Sequence, residues 1–332
     1  LRQMAMLVGI CGGALIFALC TIKYVRERDF LMRLSELAVY AGTDLAEVVR
    51  DCEVESAELC ADIRGTAVLT FLEKEKFLPC LDHPGISAVI CTKELADKIS
   101  VHIPGLLLSD APKFAFYSLY NFLAKNTVRL QIPTKIGENA QISPTAYIAP
   151  YNVTIGKNAV IEPGAIIQSF VTIGDDVRIC AGATIGIKSF SPARYKSKAI
   201  TLEDMGFVVI KDSVEICAQS GVAQGILPTD VTLLEQGVKL DHLVHIGHGA
   251  QLGARTFVAS GAHIAGNCRI GSDVWIGVNA TISNRIRIGD GARVSLGSVV
   301  TKDVPAGATV TGNFAIDHRQ FLKNLKASLA DD

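Results

Sequence analysis

Residues 245–294 read HIGHGAQLGARTFVASGAHIAGNCRIGSDVWIGVNATISNRIRIGDGARV. An aliphatic residue returns at every sixth position: Ile246, Leu252, Val258, Ile264, Ile270, Ile276, Ile282, Ile288 and Val294. Backwards, the frame passes through Leu240, Leu234, Pro228, Val222 and Ile216 to Ile210; forwards it reaches Val300. Pro228 alone is not aliphatic. With roughly a third of residues aliphatic, the unbroken run from Leu234 to Val300 arises by chance on the order of once in a million times. A second block runs Ile136, Ile142, Ile148, slips by one residue, then Ile155, Ile161, Ile167, Ile173, Ile179 and Ile185.

A period of six fits neither an α-helix nor an alternating strand. It fits a solenoid in which each hexad makes one short strand and one turn, with one aliphatic side chain pointing inward. Three hexads close a triangular coil of about 18 residues, and successive coils pair their strands in parallel ~4.8 Å apart. So narrow a prism admits one branched aliphatic per face, which suits a chain with 6% aromatics and a single Trp275. Glycine follows the aliphatic at Gly156, Gly174, Gly271 and Gly289, where a sharp backbone bend is expected.

The whole chain has 332 residues, 49% hydrophobic and 20% charged, with a net charge of −1. That is enough for two or three modest domains, and it excludes the basic stripe that nucleic-acid binding requires. Nine cysteines occur without CxxC pairs, which points to a reducing compartment and to neither a disulfide framework nor a zinc ribbon. Residues 4–22 carry no charge and are followed by Lys23, Arg26 and Arg28. As a helix they span roughly 28 Å, close to a bilayer core, and the basic flank would leave the body in the cytoplasm, associated with the inner membrane. The other reading takes Met32 as the opening of a soluble body and residues 1–31 as an upstream extension.

Residues 32–131 lack the hexad. LSELAVYAG and PKFAFYSLYNFLAK read as helices, GTAVLTFL and ISAVICT as strands, so a small α/β domain precedes the solenoid of residues 132–312. The frame lapses between Gly186 and Phe207, where Arg194, Lys196 and Lys198 mark either a solvated excursion or a flap over phosphates. Phe314, Phe321, Leu322 and Leu325 suggest a short amphipathic helix within residues 313–332.

Four of the seven histidines lie between His242 and His263. Stacking by one coil puts His245 and His263 in one column, and His248 in another with Asp230 below, Gly266 above and Asn284 two coils above. A histidine with an ordinary pKa near 6.5 suits proton abstraction at neutral pH. A glycine N–H one coil away suits a thioester oxyanion.

TFLEKEKFLPCL (70–81), AVICTKELAD (88–97) and AFYSLYNFL (115–123), followed by GVKLDHLVHIGHGAQLGARTFVASGAHIAG (237–266), resemble the LpxD-like UDP-3-O-(3-hydroxyacyl)glucosamine N-acyltransferases. These are hexapeptide-repeat acyltransferases of the lipid A pathway. The likeness covers roughly residues 32–300. It implies a left-handed parallel β-helix, a homotrimer, and a nucleotide-binding role for residues 32–131. It also implies transfer of an acyl group from a thioester to the amine of a nucleotide-linked amino sugar, with no bound cofactor and no metal. Acyl carrier protein or acyl-CoA would be the co-substrate.

The resemblance makes His248 the general base, Asp241 its orienting carboxylate and Gly266 the oxyanion donor. Phe71 and Phe77 match the aromatics that sandwich the base, and Lys74 stands where an asparagine is expected between them. Ser283-Asn284-Arg285 replaces an Asn-Gly-His, so Arg285 can hold an anion but cannot shuttle a proton. His242, His263, Asn284 and Arg285 complete the expected substrate contacts. Three alternatives stay open: an acyl-CoA-dependent enzyme for deoxyamino sugars of surface glycans, a non-catalytic sugar-nucleotide scaffold, and a zinc lyase built on His245, His248 and His263.

Overall fold

The structure is a computed structural model that describes residues 32–330 apart from 42–44, 61–62, 313–314 and 316. The apolar run at 4–22 and Phe314 lie outside the described residues. Among the described residues no helix is long and apolar enough to cross a membrane.

The hexads fold as read. Short strands from Lys135–Ile136 onward build three parallel sheets of eight, nine and eight strands, which form the three faces of a prism. The first face runs from Lys135–Ile136 to Arg287–Ile288, the second from Gln141–Ile142 to Thr309–Val310, and the third from Tyr147–Ile148 to Val299–Val300. One aliphatic per strand points inward, and Ile155, Ile161, Ile167, Ile173, Ile246, Ile264 and Ile282 are at most 1% exposed. Burying each such side chain stabilises the prism by about 1.5–3 kcal/mol. The glycine after the aliphatic serves coil-to-coil approach rather than the bend: a Cβ on Gly247 would meet the Gly266 backbone nitrogen at 2.6 Å. The left-handed backbone positions fall elsewhere in the turns, on residues such as Asn158, Asp176, Gly249 and Asn267.

Two coils are longer than the rest, and both swell at the corner between the third and first faces. One excursion separates Thr184–Ile187 from Phe207–Ile210; the other separates Gly221–Ala223 from Val231–Leu234. Pro228 lies in the second. Ile210 pairs with Leu234 (234 − 210 = 24 residues), where a plain coil such as Leu234 to Leu252 takes 18. An insertion of one hexad's length preserves the frame, so Pro228 reads as a repeat position without being one.

The first excursion is an ordered element whose Arg194, Lys196 and Lys198 are exposed. It is a hairpin, Pro192–Tyr195 against Lys198–Thr201, whose Ala193 is buried together with Leu202 and Met205 beyond it. These residues, with Ile226 and Leu227 of the second excursion, pack into one core with the preceding α/β domain. That domain has a five-stranded sheet in the order Glu47–Arg50, Gly105–Leu108, Ile86–Cys91, Val68–Leu72, Ser56–Ala57; only the first of these strands is antiparallel to its neighbour. Helices Leu34–Ala41 and Pro112–Asn126 join the core shared with the excursions. The Tyr120 hydroxyl donates to the Ile226 carbonyl at 2.8 Å, Asn121 donates to the Thr201 carbonyl at 2.8 Å, and Tyr117 bonds Ser191 at 2.9 Å. The α/β domain is thereby fixed over one corner of the prism. The last described element is the helix His318–Ala330.

Candidate active site

That corner holds His248, which follows the third-face strand His245–Ile246. Its ring lies against Gly266 one coil on: a Cβ built on Gly266 would stand 2.5 Å from His248 Nε2. No larger residue fits at 266 without displacing the imidazole. The Gly266 N–H has no hydrogen-bond acceptor among the described residues, while its carbonyl accepts from the Arg285 N–H at 3.0 Å. One coil below His248, continuing the Val222–Ile246 register, comes Gln224 rather than Asp230, because the extra hexad shifts the column. Asp230 nevertheless lines the same cleft from the second excursion.

Burial is the main cause that holds the His248 pKa below its ordinary 6.5, with the Arg285 and then the His245 positive charge adding to it. A lowered pKa favours the neutral imidazole, with one nitrogen free to accept a proton, the state a general base needs. Its Nδ1 is buried without a partner among the described residues. The native state takes up this proton less readily than the unfolded chain, so the contribution to stability is present above pH 6.5 and is lost as pH falls through the lowered native value. The acid limb of kcat/KM is expected to have its midpoint below 6.5, and Arg285→Gln should move that midpoint upward. A limb that does not move in the variant would show that Arg285 does not act on the base.

The cleft between the α/β domain and this corner has a volume of about 430 Å³. It gathers Phe71, Lys74 and Phe77 from the N-terminal side with His248, Gly266, Asn284 and Arg285 from the prism. Phe71 ends a row of rings, 5.0 Å from Phe116. Phe77 lies in the 3-10 helix Glu75–Asp82 under the Lys76 ammonium, 5.0 Å from its ring centroid. Lys76, Lys113 and Tyr117 also line the cleft. Of these three, only Lys76 has a signal in the sequence, two residues from Lys74 in a run already marked by Phe71 and Phe77. Lys113 and Tyr117 are brought in by helix docking, which no local pattern announces.

Three expected residues are not in the cleft of this chain. Asp241 precedes His248 by slightly more than one hexad and so sits at the previous corner. Its carboxylate accepts from the His242 N–H at 2.7 Å and the Ser260 N–H at 3.1 Å, away from His248 of the same chain. His242 shares that corner. His263 stacks on His245 along the third face, ring centroids 6.2 Å apart, with its side chain leaving the face rather than the corner. Among the described residues, the groups able to hold a metal contain none of His245, His248 and His263.

Comparison with known proteins agrees with the repeat. Residues 152–186 match the family described as bacterial transferase hexapeptide (six repeats), and residues 267–302 match the hexapeptide repeat of succinyl-transferase. A UDP-3-O-acylglucosamine N-acyltransferase of Coxiella burnetii is 28% identical over 260 residues, 70% of this chain and 74% of the relative. One from Helicobacter hepaticus is 30% identical over 211 residues, 58% of this chain and 64% of the relative. A solved UDP-N-acetylglucosamine acyltransferase from Campylobacter jejuni is 25% identical, covering 54% of this chain and 68% of its own, with a TM-score of 0.46. The parallel three-faced prism thus carries repeats that match hexapeptide transferase families. Over 70% of its length the chain is similar to UDP-3-O-acylglucosamine N-acyltransferases, and is LpxD-like in that sense.

Proposed function

We propose that the chain transfers an acyl group from a thioester on an acyl carrier protein to the amine of a nucleotide-linked amino sugar of the UDP-3-O-acylglucosamine kind. The observation that carries this reading is one cleft in which His248, its pKa lowered by burial and seated on Gly266, faces an aromatic pair and a cluster of cations. His248 Nε2 removes a proton from the sugar amine as the nitrogen attacks the thioester carbonyl. The Gly266 N–H donates to the oxyanion of the tetrahedral intermediate. Collapse expels the carrier thiol, which takes the proton back from the imidazolium. Release of free thiol from acyl carrier protein, measured against release from acyl-CoA, tests the donor; CoA-only turnover would replace the carrier in this scheme.

In this reading Phe71 and Phe77 bracket the nucleobase, and Lys74, Lys76, Lys113 and Arg285 meet the diphosphate. Stacking is tolerant of base identity and worth roughly 1–3 kcal/mol per base, and Lys74 lacks the two-sided hydrogen bonding of an amide. UDP- and dTDP-linked sugars should therefore be poorly distinguished, with binding weakened by salt. Phe77→Ala should raise KM more than it lowers kcat, since the contact is similar in ground and transition states. An unchanged KM for both nucleotides in that variant would remove base binding from the N-terminal domain.

The assembly we infer is a homotrimer. The later coils leave apolar side chains uncovered: Phe257 and Trp275 form an edge-to-face pair at 6.3 Å, with Leu296 62% and Val299 72% exposed. Large apolar side chains left exposed in this way suit a protein interface. Light scattering should give three chains per particle; a stable, active monomer would contradict it.

A further inference from the structure

The corner between the second and third faces, one corner before His248, gathers thiols instead of an imidazole. Cys180, Cys217 and Asp241 each follow a second-face strand, Arg178–Ile179, Glu215–Ile216 and Lys239–Leu240. They occupy consecutive coils: the Cys180 N–H donates to the Ile216 carbonyl and the Cys217 N–H to the Leu240 carbonyl, each at 2.8 Å. The donor atoms of Cys180, Glu215 and Cys217 all lie within 4.8 Å of one another, and so do those of Cys217, Asp241 and His242. Cys217 belongs to both sets.

We propose that this corner is a binding site for a thiophilic divalent cation such as Zn²⁺, with Cys180, Glu215 and Cys217 as its ligands. Two sulfur donors on one tetrahedral zinc stand about 3.8 Å apart, from Zn–S bonds of ~2.3 Å. The observed spacing needs side-chain rotation only, because the solenoid has already set the backbone. A pair of thiolates selects zinc-like ions over Mg²⁺ or Ca²⁺, which prefer all-oxygen shells. Glu215 completes the set begun by the two sulfurs, and its pairing with Lys239 at 3.4 Å is between partly exposed groups and leaves carboxylate lone pairs for a cation. Asp241 and His242 flank Cys217 from the next coil, 3.7 Å from each other. Binding displaces a proton from each coordinating thiol to solvent, so affinity rises with pH. The ion would clasp two consecutive coils, at a different corner of this chain from His248.

Cobalt(II) is the probe. Titrated into the reduced full-length protein in chelator-free buffer, it should give a saturable thiolate-to-metal charge-transfer band at one equivalent, and Zn²⁺ should bleach that band by competition. Cys217→Ser should abolish the band, and Cys180→Ser should weaken binding at least tenfold. Cys60→Ser, in the other domain, should leave both unchanged and serves as the control for folding and for background thiols. Zn²⁺ should also raise Tm in the wild type and not in Cys217→Ser. No band in the wild type, or a band that persists in Cys217→Ser, overturns the site.

Discussion

Replacing His248 by alanine lowers kcat about 10²–10⁴-fold, the range for loss of a general base, while the prism keeps its thermal stability. The side chain stands at a corner outside the aliphatic core, whose members at this level, Val244, Ile246 and Ala250, are untouched by the change. The nucleotide contacts proposed for Phe71 and Phe77 belong to the other domain, so KM for the sugar nucleotide should change little. Steady-state kinetics at pH 7.5 with Tm measured in parallel checks both halves. Turnover like that of the wild type would remove His248 from the mechanism.

Gly266→Ala is expected to cost about 10²–10³-fold in kcat, comparable to losing an oxyanion donor. The added methyl would stand 2.5 Å from Nε2, 2.7 Å from Cε1 and 2.9 Å from Cδ2 of His248, so the whole ring must swing away from its seat. The same methyl crowds the approach to the Gly266 N–H. Because the ring can yield toward the open cleft, the fold tolerates the change and Tm should hold. An active Gly266→Ala enzyme with normal kcat would separate the glycine from the reaction.

The hexad made the prism legible because each coil repeats one physical requirement, an aliphatic side chain in a channel too narrow for anything else. The same regularity misled at Pro228 and Asp230. An insertion equal to the period is invisible to a count of six, and only hydrogen-bond register shows Gln224 below His248. His248 and Gly266 were readable because stacking in a solenoid converts sequence spacing directly into contact. That Asp241, His242 and His263 lie off this cleft within one chain was not, because placement turns on which corner or face a residue occupies, and one hexad moves a side chain to the next corner. Lys113, Tyr117 and the buried half of the hairpin at Ala193 depend on the docking of two separately folded parts, a relation that leaves no periodic trace.

The central claim is that this cleft joins an acyl thioester to a sugar amine. Mass spectrometry of the products formed from UDP-linked amino sugars and acyl carrier protein thioesters tests it most directly. The account predicts a sugar nucleotide heavier by one acyl group, bonded at nitrogen and stable to mild base, formed by the wild type and lost in His248→Ala. Binding of the sugar nucleotide without acylation from any thioester donor would contradict it.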